Sequence, residues 1–163
     1  MKNILKKSDL SISSELGIYS NLYKDIYFDK KHGIKETYHN FIKANNLASR
    51  FKKSDKFVIS ELGFGTGLSF LLTLKLWKEN KKLNAKLIYI SFESAPLTKF
   101  ELKNVYKKIK GVKTLSNQLI KNLPIIYQST HRIFFELENV ELILIYDDFN
   151  ILKNLNFKAD AWF

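Results

Sequence analysis

The segment with the strongest chemical signal is Glu61-Leu62-Gly63-Phe64-Gly65-Thr66-Gly67, which holds three of the chain's six glycines within five positions. Glycine permits a tight turn with positive φ, and because it lacks a Cβ atom it lets a ligand approach the backbone closely. The acid before the glycines, Glu61, can offset the charge of a cationic ligand or order the loop. This pattern predicts a ligand-binding loop with a carboxylate beside it.

The spacing of these glycines separates classes of ligand. A dinucleotide fingerprint has glycines at the first, third and sixth positions of its motif, and here the sixth position is Leu68. A P-loop would need Gly-Lys-Ser/Thr after its second glycine, and the segment does not contain it. A nicotinamide-dinucleotide Rossmann enzyme is therefore disfavoured. The alternative to a ligand site is a simple tight turn between a strand and a helix.

Two further acidic positions follow segments that resemble strands. Glu93 stands at the end of the run from Leu87 to Phe92, and a carboxylate there can accept hydrogen bonds from two hydroxyl groups at once. Asp147 and Asp148 close the run 142–146. The alternatives are a helix N-terminal acid at Glu93, favoured by the helix dipole, and a helix N-cap at Asp148.

Repeated β-α units predict the fold. Residues 57–62 form a β-branched run before the glycine loop, and a helix over 68–78 is expected because Leu68, Leu71, Leu72 and Leu76 recur at helical spacing. A second unit combines the strand 87–92 with a helix whose expected apolar face is Leu97, Phe100, Val105 and Ile109. The alternation is typical of an α/β, doubly wound, Rossmann-like parallel sheet.

The other segments extend this sheet at both ends. We expect a short hairpin within 19–38, a helix over 39–50, paired strands at 133–137 and 142–146, and a short helix over 149–155. Residues 160–163 are expected to open a fourth parallel strand, which would leave the sheet C-terminally incomplete. We predict one domain overall, with residues 1–56 as an N-terminal extension of hairpin and helix and residues 57–163 as the first part of the Rossmann-like domain.

Composition limits the class of protein. With 163 residues, 45% of them apolar and 14% aromatic, the chain can bury a core and is not globally disordered. No apolar run reaches the length of a membrane span or a signal peptide, so the prediction is a cytoplasmic protein without a membrane partner. Zero cysteines and three scattered histidines argue against a metal site.

The formal net charge of +11 lies in the first two thirds of the chain. Residues 1–60 carry 12 basic and 6 acidic groups, residues 61–110 carry 10 and 4, and residues 111–163 carry 5 and 6. A basic surface favours polyanionic partners, above all nucleic acid. The alternative is a compositional bias, because 25 of the 27 basic residues are lysine.

Several segments together resemble one family, the MnmC-type methyltransferase domain of the bacterial bifunctional protein that makes 5-methylaminomethyl-2-thiouridine at the tRNA wobble position. Both arginines of the chain fall at positions that match this family. The matching segments are Ser20 with Asp25-Ile-Tyr27-Phe28, Gly33-Ile-Lys-Glu36-Thr37, Phe41-Ile-Lys-Ala-Asn45, Arg50, Glu61 to Leu68 with Phe70, Ser91-Phe-Glu93 with Pro96-Leu97, His131-Arg132, and Asp160-Ala-Trp-Phe163.

The resemblance implies a class I S-adenosylmethionine-dependent enzyme that methylates the primary amine of a 5-aminomethyl (2-thio)uridine in tRNA, with the anticodon arm as partner. By this resemblance the loop backs the methionine and ribose portions of the cofactor. Glu93 takes the ribose hydroxyls, and Asp148 meets the adenine amino group. The expected cofactor-binding residues are Glu61, Gly63, Phe64, Gly65, Thr66, Gly67, Glu93 and Asp148.

The N-terminal segments supply the expected substrate residues, which are Ser20, Asp25, Tyr27 and Asn45. Tyr23, Tyr27 or Phe28 could stack on a ring of the ligand, and the alternative is that these aromatics belong to the core. His131 and Arg132 could touch phosphate, with a surface salt bridge as the alternative.

The departures from the family concern catalysis. In the family, Asp-Ala-Trp-Phe continues into Leu-Asp-Gly-Phe-Ala-Pro, so the expected catalytic acid lies beyond Phe163. The flavin-dependent oxidase domain of the bifunctional versions is also absent from these residues. We therefore expect an N-terminal portion of the enzyme that lacks the acceptor-site residues. The alternative is a non-catalytic basic tRNA-binding or interaction remnant.

Overall fold

Two β-sheets organise the chain in the computed structural model, which describes residues 5–13, 17–29, 32–109 and 111–163. The smaller sheet is antiparallel and contains β1 (Leu10–Ser13), β2 (Gly17–Ser20) and β3 (Asp25–Asp29) in that order. The larger sheet has five strands in the order β6-β7-β5-β4-β8.

The larger sheet is parallel apart from one edge strand. Its parallel strands are β4 (Lys56–Leu62), β5 (Lys86–Glu93), β7 (Val140–Tyr146) and β8 (Ala161–Trp162). The strand β6 (Ser129–Phe135) runs antiparallel to β7. This arrangement confirms the expected Rossmann-like α/β sheet and the parallel strand within 160–163. The paired strands are also present, but the first spans 129–135 instead of 133–137 because residues 136–138 form a 3₁₀ helix.

Helices precede the larger sheet and connect its strands. They are α1 (Gly33–Thr37), which continues into a π-helix (Tyr38–Lys43), then α2 (Leu47–Phe51), α3 (Leu68–Asn80), α4 (Lys99–Tyr106) and α5 (Lys113–Asn122). Two short 3₁₀ helices span Glu136–Glu138 and Phe149–Asn154. No helix within the described ranges is long and apolar enough to cross a membrane.

Aromatic side chains fill the space between α3 and the sheet. Phe70 and Trp77 lie seven positions apart on α3, and therefore on the same face of that helix. The Phe70 ring meets Tyr89 of β5 edge-on at 5.1 Å, and the Trp77 ring meets Phe51 of α2 at 4.9 Å. These four side chains are fully buried, so they fix α2 and α3 against the sheet.

Three expectations for local structure are wrong. The hairpin within 19–38 was expected to turn near Gly33 and to have its second strand after that turn. Instead β2 pairs with β3, and residues 33–37 are helical. The helix over 39–50 is interrupted at Asn46, whose φ of 49° places it in the left-handed region. Phe100 is 73% exposed, and Leu102 and Tyr106 occupy the buried face of α4 instead.

Asp160 joins the strand β8 to β4, and Arg50 joins it to α2, beside the backbone pairing of the two strands. The Asp160 carboxylate accepts a hydrogen bond from Val58 N at 2.8 Å, and Asp160 N donates to Val58 O at 2.7 Å. Arg50 donates to the Asp160 carbonyl oxygen at 2.7 Å while its guanidinium lies 4.8 Å from the centre of the Phe57 ring. Arg50 and Val58 each lie more than 100 positions from Asp160 in the sequence, so both hydrogen bonds join distant parts of the chain.

We expect Asp160→Ala to lower the melting temperature by about 2–5 °C, because it removes a hydrogen-bond acceptor from the edge of the sheet. Asp160→Asn keeps one side-chain oxygen and should retain most of that stability. Thermal unfolding followed by circular dichroism would measure both changes. Equal melting temperatures for the alanine variant and the parent would contradict this role.

Candidate functional site

A cleft of about 820 Å³ lies where the carboxyl ends of β4 and β5 meet the N-terminal segments. One wall is the glycine loop between β4 and α3, and the other is formed by β2, β3, α1 and the π-helix. In open α/β sheets, ligands bind outside the carboxyl ends of the strands. The predicted residues that line the cleft are Ser20, Tyr27, Glu61, Gly63, Phe64, Gly65, Thr66 and Glu93.

The glycine loop is closed by hydrogen bonds of its own backbone. Gly63 N and Phe64 N both donate to Phe92 O at 3.0 Å, which joins the loop to the end of β5. Gly67 N donates to Phe64 O at 2.8 Å and turns the chain into α3. These N–H groups are engaged within the protein, so they are not offered to a ligand in the cleft.

The glycines of the loop have different neighbours. A Cβ atom on Gly65, whose φ is 53°, would lie 3.1 Å from the Tyr27 ring. On Gly67 it would lie 2.7 Å from the ring of Phe64. At Gly63, with φ of 93°, no atom beyond the two adjacent residues lies within 4 Å of that position. Two glycines therefore make room for aromatic rings, and Gly63 leaves space open in the cleft.

Glu93 joins the two loops that border the cleft. Its Oε2 atom accepts a hydrogen bond from Gly65 N, and its Oε1 atom accepts one from Ala95 N, both at 2.8 Å. The residue is only 3% exposed, and burial raises the pKa of its carboxyl group although the backbone donors oppose the rise. Each oxygen keeps lone-pair capacity for a further donor.

Glu61 is a second buried carboxyl group on the same cleft. Burial raises the pKa of Glu61 from 4.5 to about 8, with a smaller contribution from the charge of Glu93. Nearby hydroxyl groups oppose the rise, above all Ser91, whose Oγ atom donates to Glu61 at 2.7 Å. Near neutral pH the carboxyl group therefore holds a proton, and a cation beside it would favour its release.

The N-terminal sheet reaches the cleft through two tyrosines. Tyr23 Oη lies 2.7 Å from Ser94 Oγ, directly after Glu93 in the sequence. The Tyr27 ring packs against Gly65, and burial raises the pKa of its hydroxyl group. Ser20 is buried, and its Oγ atom accepts a hydrogen bond from Tyr23 N at 3.1 Å. This segment thus forms a wall of the cleft.

Four of the predicted residues are placed differently. Gly67 is not among the described cleft-lining residues, and a Cβ atom there would meet the ring of Phe64. Asp148 is not among the described cleft-lining residues, and its carboxylate caps the 3₁₀ helix by accepting from Asn150 N at 2.9 Å. Asn45 also lies outside that lining and donates to Phe41 O at 3.0 Å. Asp25 begins β3, but its side chain lies outside the described part of the structure.

The basic residue that could have touched phosphate is paired instead. Arg132 forms a salt bridge with Glu141, which also binds Lys86 Nζ at 2.9 Å. Burial opposes ionisation of Glu141, but the two cations outweigh it and lower the pKa of Glu141. His131 packs between the rings of Tyr127 and Tyr146. The salt-bridge alternative is therefore confirmed for Arg132.

Sequence reasoning did not assign roles to three phenylalanines that line the cleft, Phe41, Phe149 and Phe163. The rings of Phe41 and Phe163 lie 5.1 Å apart, and the Phe163 ring meets Tyr89 at 6.0 Å. Phe41 and Phe163 stand within the family segments, which was the available signal. Among the described residues, no group of three His, Cys, Asp or Glu side chains could hold a metal ion.

No protein-family model matches the chain, but curated proteins do. The tRNA 5-methylaminomethyl-2-thiouridine biosynthesis bifunctional protein MnmC of Marinomonas sp. (strain MWYL1) is 36% identical over 162 residues, which are 98% of this chain and 24% of that protein. The protein of the same name from Campylobacter jejuni subsp. jejuni is 36% identical over 146 residues, 86% of this chain and 23% of that protein. The chain is homologous to the N-terminal part of MnmC.

The chain spans about a quarter of the length of these MnmC relatives. A crystal structure of MNMC2 from Aquifex aeolicus gives a TM-score of 0.65 at 22% identity, covering 96% of this chain and 48% of that chain. The structural similarity supports the Rossmann-like fold. The sequence similarity extends from the N-terminal segments to the β8 region, so both walls of the cleft fall inside it.

The raised pKa of Glu61 predicts a stability that depends on pH. Between its ordinary pKa of 4.5 and about 8, the folded chain keeps a proton that the unfolded chain releases, so stability falls as pH rises. Glu61→Gln keeps the shape but removes this loss. We expect the variant to melt several degrees above the parent near pH 8 and at about the same temperature near pH 4. A difference that does not change with pH would contradict this assignment.

Proposed function

We propose that the cleft binds S-adenosylmethionine, and that the chain supplies the cofactor-binding part of an enzyme that methylates the 5-aminomethyl group of wobble (2-thio)uridine in tRNA. The observation that carries the proposal is the open position at Gly63, on a loop bordered by the buried carboxyl groups of Glu61 and Glu93. Bound S-adenosylmethionine supplies an electrophilic methyl group on a sulfonium centre.

The hydrogen bonds of the loop favour a ligand without phosphates. A dinucleotide or phosphate site uses free backbone N–H groups at a glycine-rich turn. Here the N–H groups of Gly63, Phe64, Gly65 and Gly67 all donate to oxygens of the protein. S-adenosylmethionine contains no phosphate, so it loses nothing when these donors are already occupied.

The two carboxyl groups suit different ends of this ligand. Glu93 accepts one N–H on each oxygen, so each oxygen can also accept a ribose hydroxyl group. Glu61 can lose its proton beside a positive charge, and an ionised carboxylate then offsets the sulfonium or ammonium group. Asp148, whose following residue Phe149 lines the cleft, stays our candidate for the adenine amino group.

The homology supports the tRNA substrate. The names of the relatives place them in the biosynthesis of 5-methylaminomethyl-2-thiouridine in tRNA. The net charge of +11 suits an RNA substrate. An amine acceptor must be neutral and in line with the methyl group, so the protein's contribution is positioning. Ser20 and Tyr27 on the N-terminal wall, with Asp25 and Asn45 nearby in sequence, are our candidates for holding the base.

We expect Gly63→Ala to weaken the binding of S-adenosylhomocysteine at least tenfold, because the new methyl group occupies the open space in the cleft. Gly111→Ala is the matched control, since Gly111 has a φ of 90° and also has no atom within 4 Å. Both variants carry the same backbone strain, but only one adds a Cβ atom to the cleft. Isothermal titration calorimetry measures both affinities, with NAD as a comparison ligand.

Three outcomes of that titration would contradict the proposal. In the first, the folded parent chain binds neither S-adenosylmethionine nor S-adenosylhomocysteine. In the second, it binds NAD more tightly than either of them. In the third, Gly63→Ala and Gly111→Ala lose the same amount of affinity. Salt-dependent tRNA binding without any cofactor affinity would favour the non-catalytic alternative.

We expect Glu93→Gln to weaken S-adenosylhomocysteine binding at least tenfold and to lower the melting temperature by several degrees. The amide places an N–H₂ group where Gly65 N or Ala95 N needs an acceptor. Glu138→Gln is the control, because Glu138 is also 3% exposed but pairs with Lys78. It should lose stability without losing cofactor affinity. Equal affinity in Glu93→Gln and the parent would contradict the ribose role.

A further inference from the structure

A second groove, of about 730 Å³, lies beside the cofactor cleft. It is bordered by the segment 5–8, the start of α4 and the residues 126–128 before β6. The segment 5–8 is fixed there, because Lys6 N donates to Ser94 O at 2.9 Å and Ser8 Oγ donates to Glu101 at 2.9 Å. Ser94 follows Glu93 directly, so the two cavities share one loop.

Large apolar side chains are exposed around this groove. Phe100 is 73% exposed, Tyr127 is 56% exposed and Ile126 is 37% exposed, and all three line it. Phe100 stands on the outer face of α4, whose inner face is buried. An exposed aromatic patch of this kind indicates an interaction surface.

A row of exposed lysines runs along α4 beside Phe100. Lys99, Lys103 and Lys107 are all exposed and repeat every four positions, so they form a row about 12 Å long. Lys99 Nζ also lies 3.3 Å from Lys121 O, which brings the end of α5 beside the row. We call Phe100 with Lys99, Lys103 and Lys107 the α4 patch.

The acid within α4 is held away from this row. Glu101 accepts hydrogen bonds from Thr98 N at 2.7 Å and from Ser8 Oγ, and thereby closes the capping box at the start of the helix. Two positions from Lys99 and from Lys103, Glu101 stands on a different side of the helix. The positive charge of the row is therefore not neutralised by its own helix.

We propose that the α4 patch and the adjoining groove bind RNA, with the lysine row on consecutive phosphates and an unstacked base on Phe100. Lysines bind phosphates electrostatically, and single-stranded bases of RNA stack on exposed aromatic rings. The proposal rests on the proposed function in one respect, that the RNA is the tRNA substrate. An RNA loop held there would lie next to the cofactor cleft.

The combination of groups favours RNA over a protein partner. Lysine is depleted at the centres of protein interfaces, whereas an aromatic ring among lysines is the usual composition of a single-strand nucleic-acid surface. Phe100 lies one position from Lys99 and three from Lys103, so it cannot be covered by a protein without desolvating these cations.

The test is the binding of purified bacterial tRNA to the full chain over a range of salt concentrations, followed by fluorescence anisotropy. Replacing Lys99, Lys103 and Lys107 by Gln should weaken binding at least tenfold and reduce the slope of log K against log salt by about two, for three lost contacts. The control replaces Lys52, Lys53 and Lys56 by Gln, three exposed lysines between the end of α2 and the start of β4. It makes the same charge change at the other end of the sheet and should change affinity less than about twofold.

Phe100→Ala separates stacking from charge. It should weaken tRNA binding at least about fivefold and leave the salt slope unchanged. Equal losses in the two triple variants, or unchanged binding in Phe100→Ala, would overturn the proposal. Self-association of the parent chain that Phe100→Ala abolishes, with tRNA binding unchanged, would assign the groove to a second copy of the chain instead.

Cofactor titration of the same variants keeps the two proposals distinguishable. The parent and all of these variants should bind S-adenosylhomocysteine with equal affinity, because the α4 patch lies outside the cofactor cleft. If the parent binds cofactor and the triple variant of Lys99, Lys103 and Lys107 still binds tRNA normally, only the proposal of an RNA-binding α4 patch is overturned. A parent that binds tRNA through the patch but no cofactor would overturn only the proposed function.

Discussion

The carboxylate of Glu93 is the contact on which the site depends. It accepts Gly65 N on one oxygen and Ala95 N on the other, and so connects the loop after β4 with the loop after β5. A neutral side chain without two acceptors would leave buried N–H groups unpaired, which is costly in a dry environment. Burial raises the pKa of Glu93, and the backbone donors offset only part of that rise.

A second constraint comes from placing two carboxyl groups on one cleft. Burial and the charge of Glu93 raise the pKa of Glu61, so the Glu61 carboxyl group keeps its proton when no cation lies beside it. Binding of a cationic ligand and release of that proton are then linked. A cationic ligand is favoured by this arrangement, while an anion would meet both carboxyl groups. This agrees with the loop, where the N–H groups of Gly63, Phe64, Gly65 and Gly67 already donate to oxygens of the protein.

Local patterns predicted the centre of the fold because they act over few residues. The β-branched run before Gly63, the leucine spacing after Gly67 and the acid at Glu93 each need only their neighbours in sequence. The N-terminal wall could not be predicted in the same way, since the packing of Tyr27 against Gly65 joins residues 38 positions apart. The prediction for Phe100 was wrong for a different reason. Helical spacing identifies an apolar residue, but it does not show whether that residue faces the core or the solvent.

The position of Phe163 has a consequence for how the chain acquires its structure. The cleft combines Ser20 and Tyr27 from the first strands with Phe163, whose ring packs against Phe41 and Tyr89. Contacts between such distant residues form slowly, because a long loop must close first. During synthesis on the ribosome, the glycine loop therefore emerges with an aromatic N-terminal wall already present and its floor still missing. The β8 region emerges after both walls and completes the cleft, so until then those aromatic rings lack part of their packing partners.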